Sequence, residues 1–387
     1  MHPKIIALML AQSCFMFSGL ISISLSSIIG MKLAPHESLA TLPFGLLNLG
    51  ALLFAYKLSL IMQQYGRRTG LRLGAAAGTL AALLAMLALS INSFYIFCFA
   101  CFLLGIYQAS AMYYRLAAMD EAPAEKKGSV MGWVLSGSLI AAILGPTLNK
   151  YANQWISEPQ YLGAYLCVGI FSTLAIVMLG SVANQPVVKA ENHADTKRFL
   201  KSPSYLLGAF NTAFAQFSML LMMSITPLAM HAHHYSVEQS VSVIGWHIIG
   251  MFLPSFFSGK LIDRFGPKAI ILTGLAIFMG STLVAMSGMV ISNFYISLFL
   301  LGLGWNFMYM GGTASYTQSI DEEEKGKAQG MAELSVALGG VVAVLIGGIL
   351  INWFEWQRIN QGLLLVLALT TAMNVLKRAP QANTGNQ

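Results

Sequence analysis

Apolar runs of about 20 residues recur along this chain from one end to the other, and nothing else in the sequence limits its fold so much. Each run is long enough to cross roughly 30 Å of hydrocarbon as a helix. Of 387 residues, 56% are hydrophobic and 10% charged, against roughly 25% charged in a soluble domain. The solvent for most of this chain is therefore lipid. The runs place twelve spans near residues 3–30, 39–62, 70–91, 94–119, 128–150, 161–182, 205–230, 239–262, 267–290, 294–319, 326–350 and 359–376, which predicts an all-α integral membrane protein. The opening run lacks a small-residue cleavage site and exceeds a signal-peptide core, so it reads as a retained first span. Cys14, Cys98, Cys101 and Cys167 all fall inside apolar runs, where disulfides between extracellular loops could not form.

A net charge of +7 could suggest nucleic acid, but its distribution points to topology. With the N-terminus inside, only Lys32, Lys150 and Arg358 of the 22 Lys and Arg fall on the outer side. The positive-inside rule then sets both termini in the cytoplasm. "ANQPVVKAENHADTKRFLKSPS" is the one long polar stretch between spans and reads as a cytoplasmic linker. It divides the chain into a first bundle (1–182), the linker (183–204), a second bundle (205–376) and a tail (377–387). The bundles repeat each other at a spacing near 200 residues: "INSFYI" from Ile91 returns as "ISNFYI" from Ile291, "FLLG" from Phe102 returns from Phe299, and Gln12 has a counterpart in Gln216. Six plus six spans in parallel repeat is the major facilitator arrangement, with the pathway between the halves.

The loop "GKLIDRFGPK", with Gly259, Asp263, Arg264, Gly266 and Lys268, resembles the signature loop of the major facilitator superfamily. The first-half equivalent, "SLIMQQYGRR", keeps Gly66, Arg67 and Arg68 but has Gln63 and Gln64 where the family usually carries Asp and Arg. The resemblance implies that Asp263 and Arg264 make cytoplasmic charge contacts holding one transport conformation, with weaker bonds in the first half. A plain turn with solvated charges is the alternative.

Spans seven and eight gather soft donors. Met219 and Met223 are four apart, as are His247 and Met251, so each pair shares a helix face. Met219 and Met223 are the chain's only Met-x3-Met pair, and His247 and Met251 its only His-x3-Met pair. Both fall at similar depth, roughly 10 to 18 Å below the outer ends of adjacent antiparallel helices. Thioethers with an imidazole suit Cu(I) and suit Mg, Ca or Mn poorly. Methionine also fills apolar gaps, so a metal site and a packed, hydrogen-bonded His are both open on physics alone. An ionisable residue within a span is a functional candidate by default.

"MLLMMSITPLAM" and "GWHIIGMFLPSFFSGKLIDRFG", with "LGLGWNFMYMGGTASYTQ" and "YRLAAMDEAPAEKKGSVMG", resemble the CcoA-type copper importers of bacterial inner membranes, a branch of the same superfamily. That resemblance implies Met219, Met223, His247 and Met251 as metal-handling residues and copper as substrate. The branch also includes relatives that carry organic solutes such as riboflavin. Met230, His231, His233 and His234 in the outer loop form a candidate capture site, or an ordinary polar loop. Cys98 and Cys101 share a face of span four as secondary thiols, or as buried small residues. Arg115 and Glu333 are charges near the inner ends of spans four and eleven whose roles stay open.

"GSLIAAILGP" (137–146) resembles part of an antiporter signature, with Ala141 and Asn149 where Gly is usual; close helix packing explains it equally. The expectation is thus a non-enzymatic secondary transporter of the bacterial inner membrane, importing copper by alternating access. It acts as a monomer, without ATP, nucleic acid or prosthetic group. An organic solute such as riboflavin, with Tyr107, Trp305 and Tyr309 for stacking, is the alternative. Drug export stands behind it, as does a non-transporting metal receptor.

Overall fold

A computed structural model describes residues 3–121, 127–156, 158–184, 198–320 and 325–376. Every regular element among them is helical: α1 (Pro3–Leu33), α2 (Leu42–Tyr65), α3 (Arg67–Ser90), α4 (Phe94–Ala111), α5 (Tyr114–Asp120), α6 (Lys127–Trp155), α7 (Leu162–Leu179), α8 (Pro203–Ala232), α9 (Val237–Phe252), α10 (Ser255–Met286), α11 (Ile291–Thr317), α12 (Lys325–Trp353) and α13 (Trp356–Leu376), with two short 3-10 turns. Helices are what hydrocarbon permits, because no water is present to satisfy backbone N–H and C=O groups. Even the serines of α1 comply. Ser18, Ser22 and Ser24 donate to the carbonyls of Cys14, Ser18 and Leu20 at 3.1, 2.7 and 2.7 Å, hiding their hydroxyls within the helix's own backbone.

Among the described residues, ten segments are long and apolar enough to cross a membrane. One of them, Val237–Met286, is 50 residues long, about 75 Å as a straight helix. It is broken twice: at Leu253 and Pro254, between α9 and α10, and at Gly266, whose φ of 79° lies outside the helical region. The break at Gly266 falls between the spans expected near 239–262 and 267–290, whereas the one at Leu253 and Pro254 falls inside the first of them. Pro254 cannot donate the backbone N–H that would continue α9, and being embedded in apolar sequence it gives no polar signal of the break. The span expected near 94–119 is matched by the apolar segment Phe94–Asp120, with a local break at Met112 and Tyr113 between α4 and α5. Gly66, between α2 and α3, has φ 91°; with Gly266 it marks the same sharp turn in both halves, one that an L side chain would strain.

Packing is also parallel between the halves. In the first, α1 packs on α6, α2 and α3 on α4, and α3 on α7; in the second, α8 packs on α12, α9 and α10 on α11, and α10 on α13. Between the halves, α6 meets α9, α2 meets α12 and α1 meets α8 and α9. Polar bonds across this seam lie toward the end of the bundle opposite Gly66 and Gly266. Thr41 donates to the Val344 carbonyl at 3.0 Å and Ser27 to the Ser224 carbonyl at 3.1 Å. A Cβ on Gly245 of α9 would come within 2.8 Å of the Ala142 carbonyl oxygen and 3.4 Å of Pro146, so the "GSLIAAILGP" stretch works here as a close-packing surface between the halves.

Candidate functional site

The sequence-chosen donors lie on α8 and α9 of the second half. Met219 and Met223 of α8 are buried in a large apolar cluster, and Met251 of α9 packs against it. His247 is 1% exposed and its Nδ1 stands 2.8 Å from the Leu298 carbonyl oxygen of α11. A carbonyl only accepts, so Nδ1 carries the proton and Nε2 keeps its lone pair. That Nε2 is buried and has no hydrogen-bond partner. α9 packs chiefly on α11 and α6, whereas α8 packs chiefly on α12 and α11, so α11 is the neighbour the two donor pairs have in common. The α9–α11 approach depends on Gly302, where a Cβ would strike the His247 carbonyl oxygen. Asn306 of α11 fastens the α9–α10 break by donating to the Met251 carbonyl and to Ser255 Oγ, both at 2.8 Å.

Among the described residues no three His, Cys, Asp or Glu side chains group as a metal site. His231, His233 and His234 are exposed at the end of α8, while Met230 is fully buried and its sulfur accepts from Ser240 Oγ of α9 at 3.6 Å. The four residues thus divide into an exposed trio and a buried staple between helices. Cys98 and Cys101 of α4 are buried free thiols, with Cys101 Sγ 3.9 Å from Ser26 Oγ of α1. Tyr107 is 1% exposed and set edge-on to Phe15 at 5.3 Å, which makes it core of the first half and removes it from the stacking set.

The loop charges divide between the halves. Asp263 and Arg264 are exposed and, among the described residues, make no ion pair; the Arg264 guanidinium lies 5.1 Å over the Phe265 ring. In the first half Arg67 is paired with Asp120 at 2.8 Å, Lys4 with Glu121 at 2.8 Å, and Arg68 donates to the Gly180 carbonyl at 3.3 Å. At the opposite end, Lys32 lies 4.9 Å over the Tyr161 ring. Burial, and secondarily the Glu238 carboxylate of α9, push the Tyr161 phenol above its ordinary range, which brings second-half charge to a first-half ring at that end.

A second constellation emerges only in three dimensions. On α11, Trp305 and Tyr309 stack with ring centroids 4.8 Å apart and planes 22° apart. Trp305 Nε1 donates to Gln216 Oε1 of α8 at 3.0 Å, and Tyr309 Oη donates to the Glu333 carboxylate of α12 at 3.0 and 3.2 Å. An indole N–H can only donate, so the Gln216 amide is oriented with its two N–H donors turned elsewhere. The cluster lies among α8, α11 and α12 of the second half, and its four side chains are half-buried. It offers a π-face flanked by amide donors on one side and a carboxylate on the other. Its parts were visible in sequence as an i, i+4 aromatic pair, a charge inside a span and the repeat partner of Gln12; their convergence was not.

Two overlapping segments, 6–252 and 208–386, match the family model of the Major Facilitator Superfamily. Riboflavin transporter RfnT of Brucella anthropi is 34% identical over 98% of this chain and 96% of its own length. The uncharacterized MFS-type transporter YdeG of Bacillus subtilis is 28% identical over 85% of this chain and 81% of its own. Among solved structures, a mutant form of nucleoside transporter NupG superposes with a TM-score of 0.78 at 11% identity, covering 97% of this chain and all of that one. This chain belongs to the Major Facilitator Superfamily, within a branch that includes a riboflavin transporter.

Proposed function

We propose that this protein is a secondary transporter of the bacterial inner membrane, moving a planar organic solute of the flavin class by alternating access. The observation that carries the reading is the Trp305–Tyr309 platform with Gln216 and Glu333 at its edges. Aromatic faces bind planar heterocycles with little regard to sequence or substituent, and flanking polar groups orient them. The relative named a riboflavin transporter supports the same class of cargo. This replaces copper as the main reading.

Alternating access needs two bundles that rock about a central site. We read twelve crossings in two repeats: Val237–Met286 crosses twice, turning at Gly266, and α6 supplies one crossing more than the ten apolar segments. The bias of Lys and Arg toward the Gly66 and Gly266 end makes that end cytoplasmic. Bonds from Thr41 to Val344 and from Ser27 to Ser224 then close the outer side, and exposed Asp263 and Arg264 fit an inward-facing state.

Copper remains a second reading because of one atom. A ligating His commonly donates its other ring N–H to a backbone carbonyl, and His247 does so, with Nε2 buried and unpartnered; Met219 and Met223 of α8 and Met251 of α9 are the candidate thioethers. Uptake of labelled riboflavin and of labelled copper by one host strain, lacking its own importers for both, tests the two readings together. Saturable riboflavin uptake that Trp305→Ala abolishes is expected. Copper uptake without riboflavin uptake would overturn the assignment.

A further inference from the structure

The Glu333 carboxylate is held but not saturated. Tyr309 has one hydroxyl proton, shared between the two carboxylate oxygens at 3.0 and 3.2 Å, whereas a carboxylate offers about four lone-pair sites. Tyr309 Oη is at the rim of its ring, so Glu333 lies at the rim of the stacked pair and not over its face. A solute lying parallel to that pair turns its edge toward Glu333. On a heterocycle the groups that project from the edge, in the plane, are ring N–H donors and carbonyl acceptors. Gln216, fixed by the Trp305 indole, presents the complementary amide donors, and an added Cβ on the facing Gly340 would stand 4.0 Å from its Nε2. A carboxylate at that edge disfavours an anionic ring relative to a neutral one.

We propose that this edge reads an imide: Glu333 accepts the ring N–H of a planar solute stacked on the Trp305–Tyr309 pair, and Gln216 donates to an acceptor on the same solute. The cargo class narrows to neutral heterocycles carrying an imide N–H, as flavins do. The proposal rests on the flavin reading above and adds the atom that is read. A site built to hydrogen-bond an N–H strongly rejects the analogue lacking it, because its polar group is left buried and unpaired.

The test is competition against labelled riboflavin uptake in cells expressing the whole protein, with unlabelled riboflavin and its imide-N-methyl derivative as competitors. The methyl derivative is expected to need about tenfold or more concentration for half-inhibition, as befits a hydrogen bond to a charged acceptor. Glu333→Ala should bring the two competitors to parity, and Glu333→Gln, which keeps an oxygen for Tyr309, should reduce the preference only in part. Equal competition against the unaltered protein overturns the imide proposal while leaving riboflavin transport standing. Preference retained in Glu333→Ala also overturns it. No riboflavin uptake at all overturns the functional reading itself.

Discussion

Trp305 does two things that can be separated. Its ring forms the platform with Tyr309, and its N–H fixes the Gln216 amide at 3.0 Å. Trp305→Phe keeps an aromatic face and removes the N–H. A net neutral hydrogen bond contributes about 0.5–1.5 kcal/mol, so this change should raise the half-saturating riboflavin concentration about 2- to 13-fold, each 1.4 kcal/mol being tenfold. Gln216→Ala should cost at least as much, since it also deletes the amide donors. In the double variant the hydrogen bond can be lost only once, so the two penalties should fall short of their sum by about that same factor. Trp305→Ala should do worse, because base–aromatic stacking is worth about 1–3 kcal/mol, or about 5- to 160-fold. The assay is initial uptake rate against riboflavin concentration, normalised to protein inserted in the membrane. Penalties that add to within about 0.3–0.5 kcal/mol, the tolerance for independent sites, would refute the idea that Trp305 works through Gln216.

Two further changes probe the scaffold. Gly302→Ala drives a methyl group into the His247 carbonyl oxygen and should cost about 1–3 kcal/mol, as overpacking does; an unchanged melting temperature in detergent would contradict the close α9–α11 approach. Thr41→Val preserves shape but deletes the 3.0 Å bond to Val344 across the halves. It should raise the population of molecules opened at that end about 2- to 13-fold, read as a shift in the distance distribution between spin labels at Glu37 and Gln239, and an unaltered distribution would remove Thr41 from the closure.

The fold was legible because hydrocarbon leaves so few choices: a run of 20 apolar residues must be a helix, and the turns at Gly66 and Gly266 carry their own chemistry. The breaks at Leu253 and Met112 were illegible since both lie within apolar sequence, where a lost helical hydrogen bond is compensated by tertiary partners such as Asn306. The site was legible residue by residue and not as a set. Gln216, Trp305, Tyr309 and Glu333 come from three helices, and α8, α11 and α12 are apolar nearly all round, so no polar stripe tells which way each is rotated. His247 shows the reverse. Its spacing from Met251 suggested a partner on α8, but its ring is bonded to Leu298 on α11, because the i, i+4 rule fixes a face of one helix and leaves open which neighbour covers it.

The two cargo readings part at His247, and one substitution separates them. Asparagine places its amide nitrogen close to where the imidazole carries Nδ1, so His247→Asn can keep a donor for the Leu298 carbonyl while removing Nε2. The lost ring volume creates a small cavity costing a few kcal/mol at most, which the melting temperature reports. If copper is cargo, losing the imidazole donor leaves only thioethers, and copper uptake at limiting supply should collapse in a protein that still folds and inserts. If flavins are the cargo, as proposed, riboflavin uptake by His247→Asn should stay within about threefold of the unaltered protein, because its only bond is between α9 and α11 and not at the Trp305 platform. Met219→Leu with Met251→Leu extends the comparison, since Leu nearly matches Met in volume and removes only sulfur. Loss of riboflavin uptake in His247→Asn at normal stability would put the imidazole on the solute's path and refute the idea that its bond to Leu298 serves only to join α9 to α11.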